Sequence, residues 1–152
     1  GSAELSYEDY NQATAIDGIE GKFAPSGSTV RNIILNFNGN LSDLSVRQAL
    51  AYAIDKEAIS EGLTYGYEPV ANTIVPDGTP YSDICGTEDY SYNVDRANQL
   101  LDEAGWIMNQ STGIREKNGT PLHVVFTCPT DDSTIGSIAT LFQSQLQKLA
   151  LK

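Results

Sequence analysis

Apolar residues in the stretch VRQALAYAIDKEAI, residues 46–59, recur at helical spacing: Val46, Ala49, Leu50, Ala53, Ile54 and Ala58 share one stripe. The spacing predicts a single core helix. Ser45 precedes it with Gln48 three residues on, the pattern of a capping box, and Gly62 is placed to end it in a left-handed conformation. A second stripe, Ala97, Leu100, Leu101 and Ala104, runs through NVDRANQLLDEAGW. Asn93 is its expected N-cap, Asp95 suits its positive end, and Gly105 stands at its C-terminal cap. Ile135, Ile138, Phe142, Leu146 and Leu149 form a third stripe near the end of the chain. Tyr7, Tyr10, Ala13 and Ile16 have a weaker spacing that predicts a short helix followed by a loop.

Two regions carry strand patterns. VRNIILNFN, residues 30–38, is rich in β-branched and aromatic residues and predicts a buried strand. The dipeptide Asn118-Gly119 between GIREK and PLHVVFTC predicts a hairpin. In its second arm Leu122, Val124, Phe126 and Cys128 share one face, opposite His123, Val125 and Thr127. The stretch from Thr64 to Tyr92 has no clear period. A loop of that length tends to be functional or to wrap over a neighbour. Its tyrosines suit either a ligand surface or the pinning of the loop onto its own domain. Together these elements predict an α/β domain: a small mixed β-sheet packed with helices.

Charge narrows the function. Nine basic against twenty acidic residues leave a formal net charge of -11, which argues against nucleic acid and against an anionic membrane surface. It is compatible with cationic ligands, and it also simply favours solubility. The 152 residues and 40% hydrophobic content suit one globular domain. No apolar run reaches the ~20 residues a membrane span needs. The opening Gly1-Ser2-Ala3 resembles a cloning scar, which points to an excised piece of a longer protein. Cys85 and Cys128 form neither CxxC nor a zinc spacing, leaving two buried thiols or a disulfide open.

No phosphate-binding loop, nucleophile elbow or zinc helix is present. His123 is the single histidine, so a small hydrolase would have to combine it with Cys128. Five positions apart on one strand, their side chains face opposite sides. No catalytic residue, metal ligand or cofactor is assigned, and an enzyme is not expected. A free-standing interaction module is the remaining alternative.

DLSVRQALAYAIDKEAI resembles the signature helix of the family 5 extracellular solute-binding proteins, the peptide and nickel receptors of ABC importers. Asp43, Val46, Arg47, Ala49, Leu50, Ala53, Ile54, Asp55, Lys56 and Ile59 all fit that pattern. ILNFN before it, GYEPVANTIVPDGTPY and YSYNVDRANQLLDEAGW after it, then GIREKNGTPLHVVF and IATLFQSQLQKLALK, are similar to the family's segments in the same order. Asn93 stands where the family more often has Asp, and GNLS replaces a longer proline-containing loop.

The resemblance implies part of the second lobe of a two-lobed periplasmic-binding-protein-like fold. Residues 30–152 would be that partial lobe, and residues 1–29 a leading segment of scar, short helix and loop. It further implies an extracytoplasmic location, a peptide or nickel complex as the parent's ligand and an ABC permease as its partner. The parent would be a monomer whose lobes close on the ligand, with room for a lipid anchor that this chain lacks. Arg47 and Asp55 would make structural contacts. Asn36 and Asn38, at the end of the first strand, are the candidate ligand-binding residues.

Overall fold

The computed structural model describes residues 5–22, 30–76, 78–80, 82, 90–129 and 133–152. Helix α1 (Tyr7–Thr14) is followed by a 3-10 turn (Gly39–Ser42), α2 (Leu44–Ala53), α3 (Lys56–Thr64) and α4 (Val94–Glu103). Strands β1 (Ile107–Met108), β2 (Arg115–Lys117) and β3 (Thr120–Pro121) come next, then α5 (Ser133–Leu146) and a closing 3-10 turn (Gln147–Leu149).

The predicted single helix is two helices with a sharp break. Asp43, not Ser45, caps α2, accepting the Ser45 N–H at 3.0 Å. Ile54 and Asp55 leave the helical conformation, and the Asp55 carboxylate accepts the Ala58 N–H at 2.9 Å to start α3. The backbone groups freed by the break are met from across the core. The Asp55 N–H donates to Gln145 Oε1 at 3.0 Å, and Gln145 Nε2 donates to the Asp55 carbonyl at 3.3 Å. Apolar spacing runs straight through the break, so periodicity could not reveal it. Ala58 is accordingly exposed, and Gly62 lies inside α3, which ends at Tyr65 in the left-handed region (φ 53°).

Val46, Ala49, Leu50 and Ala53 of α2 are buried in the core together with Ala97, Leu100 and Leu101 of α4. The alanines let the two helices, the most extensively paired elements, lie close. Trp106, Leu122, Phe142, Leu146 and Leu149 complete the core. α4 ends as its sequence predicts: the Trp106 N–H reaches the Leu101 carbonyl at 2.9 Å and the Gly105 N–H the Asp102 carbonyl at 3.0 Å, a Schellman closure around Gly105.

The sheet is a three-stranded antiparallel meander, with Met108 opposite Arg115 and Lys117 opposite Thr120. Asn118 (φ 54°) and Gly119 (φ 77°) make the expected primed turn. Beyond Pro121 the ladder stops, but the Lys152 N–H bonds the Leu122 carbonyl at 2.9 Å and the Val124 N–H bonds the Lys152 carbonyl at 3.1 Å. That is the pattern of one parallel rung. Residues 30–38 are a correction: they join no ladder, and Ile34 (89%) and Phe37 (66%) are exposed rather than buried. A strand needs a backbone edge alongside, and here a side chain, Asn40, makes the link to Pro121 and His123.

Among the described residues, one charged side chain is buried, that of Arg115. The Arg115 guanidinium donates to Asp102 Oδ1 at 2.5 Å, the Trp106 carbonyl at 2.6 Å and Asn98 Oδ1 at 2.9 Å, while its Nε is unpartnered. Arg115→Ala is expected to lower stability by about 1–3 kcal/mol, since it leaves the Trp106 carbonyl and Asn98 Oδ1 without their donor while the exposed Asp102 carboxylate is taken up by water. Arg96→Ala, which removes the exposed 3.9 Å pair with Glu103, should cost less than about 1 kcal/mol. Urea denaturation followed by Trp106 fluorescence separates the two.

Candidate functional site

Between the turn at 36–41 and the chain at 120–125 lies an open groove of about 470 Å³. Asn36 and Asn38 line one wall, where both are exposed and the Asn38 N–H donates to Asn36 Oδ1 at 3.2 Å. The structure therefore brings the two candidates together, with part of Asn36 satisfying the turn. His123, Val124 and Val125 line the opposite wall. Asn40 spans the floor: its Nδ2 donates to the carbonyls of Pro121 at 3.2 Å and His123 at 3.1 Å. Gly39 (φ 59°) supplies the left-handed residue that lets the chain turn there.

Arg47 holds this turn onto α2. Its Nη1 donates to the carbonyls of Leu41 at 2.8 Å and Ser42 at 3.0 Å, and its guanidinium lies 4.7 Å from the Phe37 ring centre. Arg47 and Asp55 are thus structural, as the resemblance implied. Beneath the turn, Asp43 collects the α2 cap, the Lys117 ammonium at 3.2 Å and the Trp106 indole N–H at 3.3 Å. Partial burial pushes its carboxyl up, but the hydrogen bonds from Lys117, Ser45 and Trp106 outweigh that and hold it below its ordinary value of 3.8.

The groove is lined by amides, an imidazole, small and apolar residues, and no charged side chain. A larger concavity of about 720 Å³ lies at the start of α3, lined in part by Lys56, Glu57, Asn72, Tyr90 and Tyr92. There Lys56 Nζ is engaged with Asn72 Oδ1 at 3.1 Å. Tyr90 packs edge-on against Tyr52 at 5.1 Å, and Tyr92 accepts from Lys148 Nζ at 2.8 Å. These tyrosines pin the end of the long loop onto the domain, one of the two roles expected for them. His123 is exposed and Cys128 half-buried, and no hydrogen bond joins their side chains. Cys85 lies outside the described residues. Among the described residues, no three His, Cys, Asp or Glu side chains gather as a metal site.

Sequence reasoning missed Asn40, whose signal was weak: one asparagine among three in NFNGN. It also missed Asp43 as a charge hub, because Lys117 and Trp106 come from distant parts of the chain.

Helix pairs packed with a small antiparallel sheet, bordered by an open and uncharged groove, make an α/β unit. The model of bacterial extracellular solute-binding proteins, family 5 Middle, matches residues 2–152, and the chain belongs to that family. Over 108 residues it is 32% identical to the nickel-binding periplasmic protein of Escherichia coli K12, covering 71% of this chain and 20% of that protein. Over 113 residues it is 34% identical to the oligopeptide-binding protein OppA of Lactococcus lactis subsp. cremoris SK11, covering 74% and 19%. The structure of lactococcal OppA, complexed with an endogenous peptide in the closed conformation, superposes with a TM-score of 0.73 and 26% identity. That alignment covers 98% of this chain and 30% of that one. The solved neighbours are two-lobed periplasmic binding proteins, so the expected fold class holds. The chain spans about a fifth of the length of the curated relatives it matches.

Two outcomes check this geometry. Asn40→Ala should cost about 1–2 kcal/mol by freeing two carbonyls, with faster amide exchange localised to 121–125. Asp43→Asn keeps an N-capping oxygen but loses the charge. Because the folded carboxyl lies below 3.8, its stabilisation is present above that value and lost as pH falls through the lower folded value. The stability gap between parent and Asp43→Asn should therefore be full at pH 7 and close in acid, as read by denaturation at several pH values.

Proposed function

We propose that this chain is part of the second lobe of the extracytoplasmic receptor of an ABC importer. In the full-length receptor it would form one wall of a cleft that takes short peptides and hands them to the permease. Family membership supports the receptor role. The observation that carries the peptide reading is the chemistry of the groove: Asn36, Asn38 and Asn40 beside main chain, with no charged side chain in the lining. Such a surface complements the neutral amides of an extended peptide. A nickel complex is the second reading, favoured by the similarity to the nickel-binding periplasmic protein of Escherichia coli.

The mechanism follows from solvation. On an open wall, water competes for every amide, and a hydrogen bond nets about 0.5–1.5 kcal/mol. Hinge closure of two lobes excludes that water and lets several such bonds act together in a desolvated cleft. The subunit binds and releases; the groove needs no bond chemistry for that. The receptor works as a monomer, with the full-length protein held outside the cytoplasm, by a lipid anchor where one is present.

Calorimetric titration tests the reading. The folded 152-residue chain should give no heat of binding with a pool of short peptides or with nickel, whereas the full-length receptor should bind the peptides. Asn36→Ala and Asn38→Ala in that receptor should each weaken binding, by about tenfold for one lost hydrogen bond. Binding of nickel without peptides would establish the second reading. Tight binding by the 152-residue chain alone would overturn the two-wall account.

A further inference from the structure

Helix α1 stands apart from the core, with none of Tyr7–Thr14 buried. Eight residues are too few to hold a helix in water by themselves, so its contacts with the rest of the chain decide whether it persists. Among the described residues, several of those contacts meet at the turn after α3. The Tyr7 ring tilts against Tyr67 at 5.6 Å and the Tyr10 ring meets it edge-on at 5.6 Å. The Tyr67 hydroxyl donates to Asn11 Oδ1 at 2.6 Å. The chain returning from α1 passes so close that a Cβ on Gly21 would lie 2.5 Å from Thr14 and Tyr10 side-chain atoms.

Among the described residues, Glu68 brings a carboxylate to this contact. Its backbone is tied to α3, with its N–H on Thr64 Oγ1 at 3.2 Å and its carbonyl accepting from Ser60 Oγ at 2.5 Å. Its carboxylate accepts the Tyr7 hydroxyl at 2.5 Å and Arg31 Nε at 2.8 Å. One fixed carboxylate thus receives a donor from α1 and another from the segment that leads into the groove wall. Burial, together with the hydrogen bond and charge of Glu68, pushes the Tyr7 hydroxyl up to about 12, so it stays a donor across the physiological range.

We propose that α1 is a detachable strap and that Glu68 is its keeper, holding it to α3 through Tyr7 and to the groove wall through Arg31. Opening lifts α1 from Tyr67 without disturbing α2 or α4, whose buried stripes face each other in the core. The strap is a low-stability unit in the sense of local unfolding. It stands independently of which ligand the groove takes.

Amide hydrogen exchange on the 152-residue chain tests it. In the parent, α1 amides should exchange faster than those of α4. Glu68→Gln should speed α1 exchange by about tenfold, the effect of losing a charged acceptor, and leave α2 and α4 unchanged. Tyr7→Phe should act in the same direction while sparing the Arg31 pair, and it decides the matter if Glu68→Gln fails to fold. Protection of α1 equal to that of α4, or α1 exchange unmoved by a folded Glu68→Gln or by Tyr7→Phe, overturns the strap. Neither result depends on peptide or nickel binding, so failure here and failure of the receptor reading are separately visible.

Discussion

A guanidinium cannot be taken out of water without partners, and the interior position of Arg115 imposes that requirement on several segments at once. Its side chain engages Asp102 and Asn98 of α4 and the Trp106 carbonyl just beyond the helix. Its own N–H bonds the Ala150 carbonyl at 2.9 Å, and its carbonyl accepts the Leu122 N–H at 2.7 Å. A single residue therefore fixes where α4 ends, where the hairpin lies and how the chain's last residues return. The groove inherits that order: Pro121 and His123, whose carbonyls Asn40 bridges, follow directly from the strand that Arg115 anchors.

The break between α2 and α3 is a second polar constraint of the same kind. Gln145 gives both ends of its amide to the backbone of Asp55, which lets the chain bend without leaving a bare N–H or carbonyl in the interior. An apolar residue at 145 would pack there as readily but could not satisfy the break. α2 is thereby held at a fixed length, with Arg47 at one end gripping the turn that carries Asn36 and Asn38, and Asp55 at the other. The helix does not line the groove, yet it positions it.

Local rules around α4 and the hairpin were legible in the sequence, whereas the cap expected at Ser45 and the end expected at Gly62 failed and the long-range polar contacts were not legible. The α4 stripe, its Asn93 cap, the Gly105 closure and the Asn118-Gly119 turn all depend on residues within a few positions, and each formed as expected. The α2–α3 break depends on Gln145, 90 residues away. The Asp43 hub depends on Lys117, 74 residues away, and Arg115 on the α4 face. The strand expected at 30–38 failed for a related reason: composition reports what a segment prefers to do beside another backbone, and here that neighbour is a side chain. The family was legible because the signature positions, Arg47 and Asp55 among them, have fixed spacing within one short stretch. The spacing of α1 predicted a short helix but not its contacts with Tyr67 and Glu68, which come from more than 50 positions away.

The apolar residues of the groove bear on how such a wall works. Leu41, Val124 and Val125 (71% exposed) line it beside uncharged hydrogen-bonding groups. Water fills an open wall of this kind and satisfies its amides, so the wall gains little by exchanging water for a ligand. When a second wall closes over it, the apolar rim leaves water and contributes roughly 25 cal/mol per Å² buried, while the amides must find partners on the ligand or go unpaired. The first effect favours closure in general. The second penalises closure on anything that does not present matching donors and acceptors. On the receptor reading proposed above, affinity and selectivity would be separated between apolar rim and polar floor, and both would need enclosure. That is the physical reason a groove as open as this one makes sense as one side of a cleft.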